Sequence, residues 1–153
     1  QEKADAAAKL CAPGSPILAA DTIVTVAGAI LGKPPHEGAA RQMLTLLSGR
    51  THAVLTGYHL RYVDAEGQIS RQSRVVSTTV TIQPLTDGDI AGYLRSAEWR
   101  GKAGAYAIQG RFSAFVRGIE GSYDNVVGLP LCAVIEDLRS LGLLPSDWPN
   151  WTP

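Results

Sequence analysis

An aspartate after a short apolar run, lysines on glycine-bearing segments and a glutamine between Ile108 and Gly110 are the residues best equipped for chemistry here. Ile17-Leu18-Ala19-Ala20 reads as a buried strand, and Asp21 follows it directly. In open α/β sheets ligands gather beyond the carboxyl ends of strands, so a carboxylate there can hold a divalent metal or orient a water. The plainer alternative is a turn-forming Asp. Lys33 lies in a Gly-Lys-Pro loop. Its ammonium can meet a phosphate as a point charge, as can Lys3 and Lys102; each can equally be a solvated surface group. Gln109 carries both donor and acceptor, which suits a base edge or a structural amide.

Other chemistries find no support. His36, His52 and His59 lack metal-ligand spacing, and His52 and His59 fall on opposite faces of one strand by parity, so they read as structural or surface residues. No GxSxG, Walker or GxGxxG motif occurs. Ser48 and Ser122 have no neighbouring base to activate them, and Trp99, Trp148 and Trp151 do not form a stacking array. Fourteen basic and fourteen acidic residues cancel, with no long run of one sign, which argues against a broad nucleic-acid or membrane surface. Cys11 and Cys132 sit in no CxxC pattern and read as reduced thiols of a cytoplasmic protein. No apolar stretch is long enough to span a bilayer, and no signal-peptide pattern is present.

The elements that must position these residues follow from periodicity. Residues 2–10 are helix-prone, and the spacing predicts strands over 17–20 and 23–26 with a turn at Ala27-Gly28. A helix is expected over Glu37–Leu47, with Ala40, Met43, Leu44 and Leu47 on one face. Alternation predicts strands through Val54–Tyr62 and Val76–Ile82, joined by a hairpin turn near Asp64–Gly67. Thr86-Asp87-Gly88-Asp89 resembles a capping box opening a helix to about Ser96. Residues 101–110 and 118–128 are expected to be loop, Phe112–Val116 a strand, and Pro130 opens a last helix stopped by Gly142. A C-terminal tail follows from residue 145, and its WPNWTP end, residues 148–153, is expected to fray. The sum is one α/β domain over residues 1–144. The opening QEKADAAAKL starts without Met or an N-cap and is expected to be the later part of a longer helix.

Several multi-residue motifs then sharpen the reading. Ala19-Ala20-Asp21-Thr22-Ile23-Val24 resembles the A-D-T-[VI]-V motif of the Maf family, followed by Ile30-Leu31-Gly32-Lys33-Pro34 and Leu47-Ser48-Gly49-Arg50-Thr51-His52. Lys102-Ala103-Gly104-Ala105-Tyr106-Ala107-Ile108-Gln109-Gly110 resembles K-A-G-[AS]-Y-x-I-Q-G, and residues 119–130 resemble the signature near that family's C-terminus. Glu2-Lys3-Ala4 is similar to its E-K-A. The resemblance implies a fold like that of inosine triphosphate pyrophosphatases, a mixed twisted sheet with a long hairpin and flanking helices. It implies Mg²⁺- or Mn²⁺-dependent hydrolysis of a nucleoside triphosphate to the monophosphate and pyrophosphate, in a housecleaning role and often as a homodimer. Asp21 would be the general base or metal-associated carboxylate. Lys3 and Lys33 would hold the triphosphate, with Lys102 a further phosphate candidate, and Thr22 and Gln109 would bear on substrate choice. A-D-T together with Y-x-I-Q-G resembles the branch acting on dTTP and UTP rather than on 7-methyl-GTP. A nucleotide-binding regulator of septum formation, without turnover, is the alternative. Family members open with an S-x-S-P-R-R loop that touches the phosphates; no such segment occurs here.

Overall fold

The computed structural model describes residues 14–149. Lys3, Cys11, the helix expected over 2–10 and residues 150–153 lie outside them. Five strands form one sheet in the order β2-β1-β3-β4-β5: β1 (Ile17–Val26), β2 (Ala29–Leu31), β3 (Thr51–Val63), β4 (Ile69–Ile82) and β5 (Val116–Glu120). Helices α1 (Glu37–Leu47), α2 (Asp87–Arg95), α3 (Tyr123–Val127) and α4 (Leu131–Ser140) complete the α/β fold.

The chain divides into two compact units. The larger comprises residues 21–57 and 75–130. Its core gathers Val24 and Val26 of β1, Leu44 and Leu47 of α1, Val54 of β3, Val80 and Ile82 of β4, and Ile90 and Leu94 of α2. These are the apolar halves of period-2 strands and period-3.6 helices. Helix α1 packs on α2 and on the turn at Ala103–Ala105. His36 caps α1, its Nδ1 accepting the Ala39 N–H at 3.1 Å. Thr86 and Asp89 form the expected capping box: Asp89 N–H donates to Thr86 Oγ1 at 3.1 Å and Thr86 N–H donates to Asp89 Oδ2 at 2.9 Å. The bonds from Thr86, its hydroxyl first, hold the Asp89 carboxyl below its ordinary pKa.

Among the described residues, the smaller unit comprises 14–20, 58–74 and 131–149. Asp137 of α4 is fully buried there, and two groups compensate it. Tyr58 donates its hydroxyl to Asp137 Oδ2 at 2.6 Å. Arg74 pairs with Asp137 at 2.5 Å and with Glu136 at 3.1 Å. A buried carboxylate needs such compensation, because burial without it costs several kcal/mol or more. Arg139 stacks over Trp148 at 5.0 Å, within the segment expected to fray.

Two expectations are corrected. Arg111–Phe115 is a 3-10 turn, not a strand, and β5 begins only at Val116. Phe112 and Phe115, three residues apart, both turn inward, their rings 5.5 Å apart, and Phe112 also meets Tyr93 and Tyr106 at 4.9 and 4.8 Å. A repeat of three suits a 3-10 turn and not a pleated strand. Residues 118–128 are not all loop either: β5 runs to Glu120, and α3 follows. Strand β5 pairs antiparallel with β4, Val80 opposite Ile119, with a bulge near Thr81-Ile82. That backbone ladder outweighs the weak strand propensity of Arg-Gly-Ile-Glu.

His52 is buried, its Nε2 bonded to the Tyr106 hydroxyl at 2.7 Å, while Nδ1 makes no hydrogen bond among the described residues. Burial pushes its pKa down from 6.5 to about 4. The folded ring stays neutral while the unfolded ring takes a proton, so between these values the unfolded state binds more protons. This contribution is whole above about pH 6.5 and lost progressively as pH falls toward 4. His52→Phe is expected to flatten the fall in urea midpoint across that window relative to the parent. Equal slopes for the two proteins would contradict the assignment.

Candidate functional site

All the described site candidates lie in the larger unit. Asp21 does not end a strand, as the sequence suggested. It is the fifth of ten residues in β1, because the β-branched run Ile23-Val24-Thr25-Val26 keeps the chain extended beyond it. Alternation sends Asp21 to the exposed face and turns Thr22 to the opposite one, where it is half-buried.

Lys33 reaches the same region through the β1–β2 hairpin. The two strands pair antiparallel, Val26 opposite Ala29 and Val24 opposite Leu31. Leu31, two residues before Lys33, thus stands opposite Val24, three residues after Asp21. The Gly32 carbonyl accepts the Gly104 N–H at 3.1 Å. This bond clasps the Gly-Lys-Pro loop to the Lys-Ala-Gly turn, so the backbones of Lys33 and Lys102 lie each within two residues of one contact. Both side chains are exposed. Lys102 is fixed by its own N–H to the Trp99 carbonyl at 3.2 Å and by its carbonyl, which accepts the Ala105 N–H at 3.1 Å.

The clasp depends on glycine at position 104. Its φ is +69°, and a Cβ there would stand 3.0 Å from Val24 Cγ2. Val24 is a core residue of β1 three places from Asp21, so the turn rests directly on the strand that carries the carboxylate. Ala105 follows with φ of 61°, a left-handed backbone that a side chain adopts only under constraint from its surroundings. An open cleft of about 440 Å³ flanks the two loops, lined by Pro34, Pro35, His36, Glu37, Trp99, Arg100 and Gly101. Arg100 lies over the Trp99 ring at 5.4 Å.

Gln109 is exposed on the next turn. Ala107 N–H donates to the Tyr93 hydroxyl at 3.0 Å, and Arg111 N–H donates to Glu98 Oε2 at 2.7 Å, so the segment is held on both sides of the glutamine. Burial raises the Tyr93 hydroxyl pKa to about 12, which keeps this anchor neutral.

The sequence reading passed over a set of polar residues behind β1. Thr22 and Thr56 hydroxyls are 2.8 Å apart, and Thr56 donates to the Asn125 carbonyl at 3.0 Å. Asn125 is fully buried in α3. Its Nδ2 donates to the Val54 carbonyl at 3.1 Å and to Thr78 Oγ1 at 3.0 Å. Thr78 in turn donates to the Ser122 carbonyl and accepts its N–H, both at 3.1 Å. One signal could have found them: Thr56 and Thr78 occupy the apolar phase of their strands, where a hydroxyl must find a partner.

A profile of Maf-like proteins matches residues 1–141. The chain belongs to the Maf-like protein family. Within the curated proteins, 127 residues are 42% identical to a dTTP/UTP pyrophosphatase of Agathobacter rectalis, covering 83% of this chain and 62% of that one. A dTTP/UTP pyrophosphatase of Geobacter sulfurreducens is 49% identical over 125 residues, 82% of this chain and 64% of its own length. One of Syntrophus aciditrophicus is 45% identical over 143 residues, 94% of this chain and 68% of its own. The chain thus spans a little under two thirds of the first two relatives.

For a Maf-like chain the donor set limits how a divalent metal could be held. Among the described residues no three His, Cys, Asp or Glu side chains group as a protein cage. Mg²⁺ is ordinarily bound by one or two carboxylates together with substrate phosphates and water. Asp21 fits that arrangement as a single carboxylate. Among the described residues no helix is long and apolar enough to cross a membrane.

Gly104→Ala is expected to cost about 1–2 kcal/mol of stability from its left-handed backbone alone, with the Val24 contact adding to it. Gly118→Ala, with no atom within 4 Å of the added carbon, serves as the control in urea denaturation. Equal stability of the two variants would show that the clasp is slack.

Proposed function

We propose that this Maf-like protein hydrolyses dTTP and UTP, and related non-standard pyrimidine nucleotides, to the monophosphate and pyrophosphate. The observation that carries most weight is the Gly104–Gly32 clasp, which holds two lysine-bearing loops beside the strand of Asp21. Relatives bearing the name dTTP/UTP pyrophosphatase add to it.

In this reading Lys33 and Lys102, with Lys3, meet the triphosphate and offset charge that builds on the leaving pyrophosphate. Asp21 orients the attacking water and takes its proton. A new oxygen–phosphorus bond forms at the α-phosphorus while the bond from that phosphorus to the bridging oxygen breaks, and pyrophosphate departs with the electron pair. A bound Mg²⁺ or Mn²⁺, held by Asp21 and substrate oxygens, would supply Lewis-acid stabilisation of the phosphoryl charge. Thr22 and Gln109 would select the base. Residues 1–144 would act as one catalytic domain, in the cytoplasm and as a homodimer, without nucleic-acid partners.

Pyrophosphate release from dTTP, UTP, CTP and 7-methyl-GTP with Mg²⁺ or Mn²⁺ tests this. The assay uses the chain alone and preceded by an S-x-S-P-R-R segment. Turnover is expected on dTTP and UTP, and Asp21→Ala should lower kcat at least about a hundredfold, the scale of a lost general base. A folded protein that binds nucleotide and cleaves none would refute the proposal.

A further inference from the structure

Each hydroxyl has one proton to give, and this fixes the direction of the chain behind β1. The Asn125 carbonyl can only accept, so the Thr56 proton is committed to it at 3.0 Å. Thr56 Oγ1 must then be the acceptor in the 2.8 Å contact, and Thr22 the donor. Proton order therefore runs Thr22 to Thr56 to Asn125. The far end is equally determined. The Val54 carbonyl can only accept, which sets the Asn125 amide with its nitrogen toward Val54 and Thr78. The Asn125 N–H donates to Ser122 Oγ at 3.3 Å, and Thr78 closes the loop onto Ser122. Position 121 must be glycine for this, since φ is +117° and a Cβ would stand 2.9 Å from Thr78 Oγ1.

We infer that Thr56 and Asn125 are positioning residues for the Asp21-Thr22 segment, acting through this one-way hydroxyl relay. The inference deepens the pyrophosphatase reading and rests on it for its catalytic consequence. Thr22 has spent its proton inward, so toward any ligand it presents only lone pairs. The Thr22 side chain is tied through Thr56 to the backbone carbonyl of fully buried Asn125, on the face of β1 opposite the Asp21 carboxylate. The relay fails if either hydroxyl is removed.

The test compares Thr56→Val, Thr56→Ser, Thr22→Val and the Thr22→Val/Thr56→Val double variant. Thr51→Val is the control, because it breaks an exposed threonine hydroxyl pair with Thr81 between β3 and β4, 3.0 Å long and outside the relay. In the nucleotide assay Thr56→Val is expected to lower kcat on the order of tenfold to a hundredfold with KM little changed. Thr56→Ser should restore it, the double variant should be no worse than the worse single one, and Thr51→Val should be neutral. Unchanged kcat, no rescue by serine or additive losses would overturn the relay. Amide NMR shifts of Asp21 and Thr22 give a second readout independent of turnover. They should move in Thr56→Val and return in Thr56→Ser. If the parent cleaves no nucleotide, the pyrophosphatase reading falls while these shifts still decide the relay: unmoved amides sink it.

Discussion

A buried amide whose donors are all met, while its Oδ1 makes no hydrogen bond among the described residues, is the constraint on which the larger unit depends. Asn125 contributes two side-chain donors, a backbone donor and a carbonyl to a space with no exposure. Leaving one such group unpaired costs about 1–3 kcal/mol, more than a typical hydrogen bond gains. Four segments are thereby drawn to fixed places: β1 through Thr22, β3 through Thr56 and the Val54 carbonyl, β4 through Thr78, and the 121–128 turn through Ser122. An apolar residue would fill the space without specifying which of these segments meet.

Two residues further along the same face of β1 the constraint is steric. Gly104 can rest on Val24 only because it has no side chain, and the same approach brings its N–H to Gly32. Strand β1 is thus held at two successive inner-face positions, by the hydroxyl partner of Thr22 and by the turn over Val24, while Asp21 lies on the opposite, exposed face. In the proposed reaction such a strand would present the Asp21 carboxylate to the substrate in a set place, which is how positioning lowers a barrier without new chemistry.

Much of the scaffold was legible in the sequence because local rules and tertiary contacts agree. Helix α1 and the Thr86–Asp89 capping box follow from period 3.6 and from cap chemistry, and both stand where expected. The aromatic segment 111–115 misled because hydrophobic content does not distinguish a pleat from a 3-10 turn, and ring packing against Tyr93 and Tyr106 decided it. Strand β5 was hidden because its pairing with β4 lies some forty residues away in sequence. The polar residues at Asp21, Lys33, Lys102 and Gln109 were visible as candidates. The clasp joining two of their loops was not, since it is a bond between backbone atoms that carry no side-chain identity. His52 and His59 gave no sign of their partners, buried Tyr106 and exposed Ser73, which lie 54 and 14 residues away in sequence.

The most direct measurement is a crystal structure with a non-hydrolysable α,β-imido analogue of dUTP and Mg²⁺. The triphosphate is expected along the clasped loops, with Lys33 and Lys102 ammonium groups on phosphate oxygens and the Asp21 carboxylate facing the α-phosphorus or the metal. An analogue bound away from β1, with both lysines turned to solvent, would contradict the site built here.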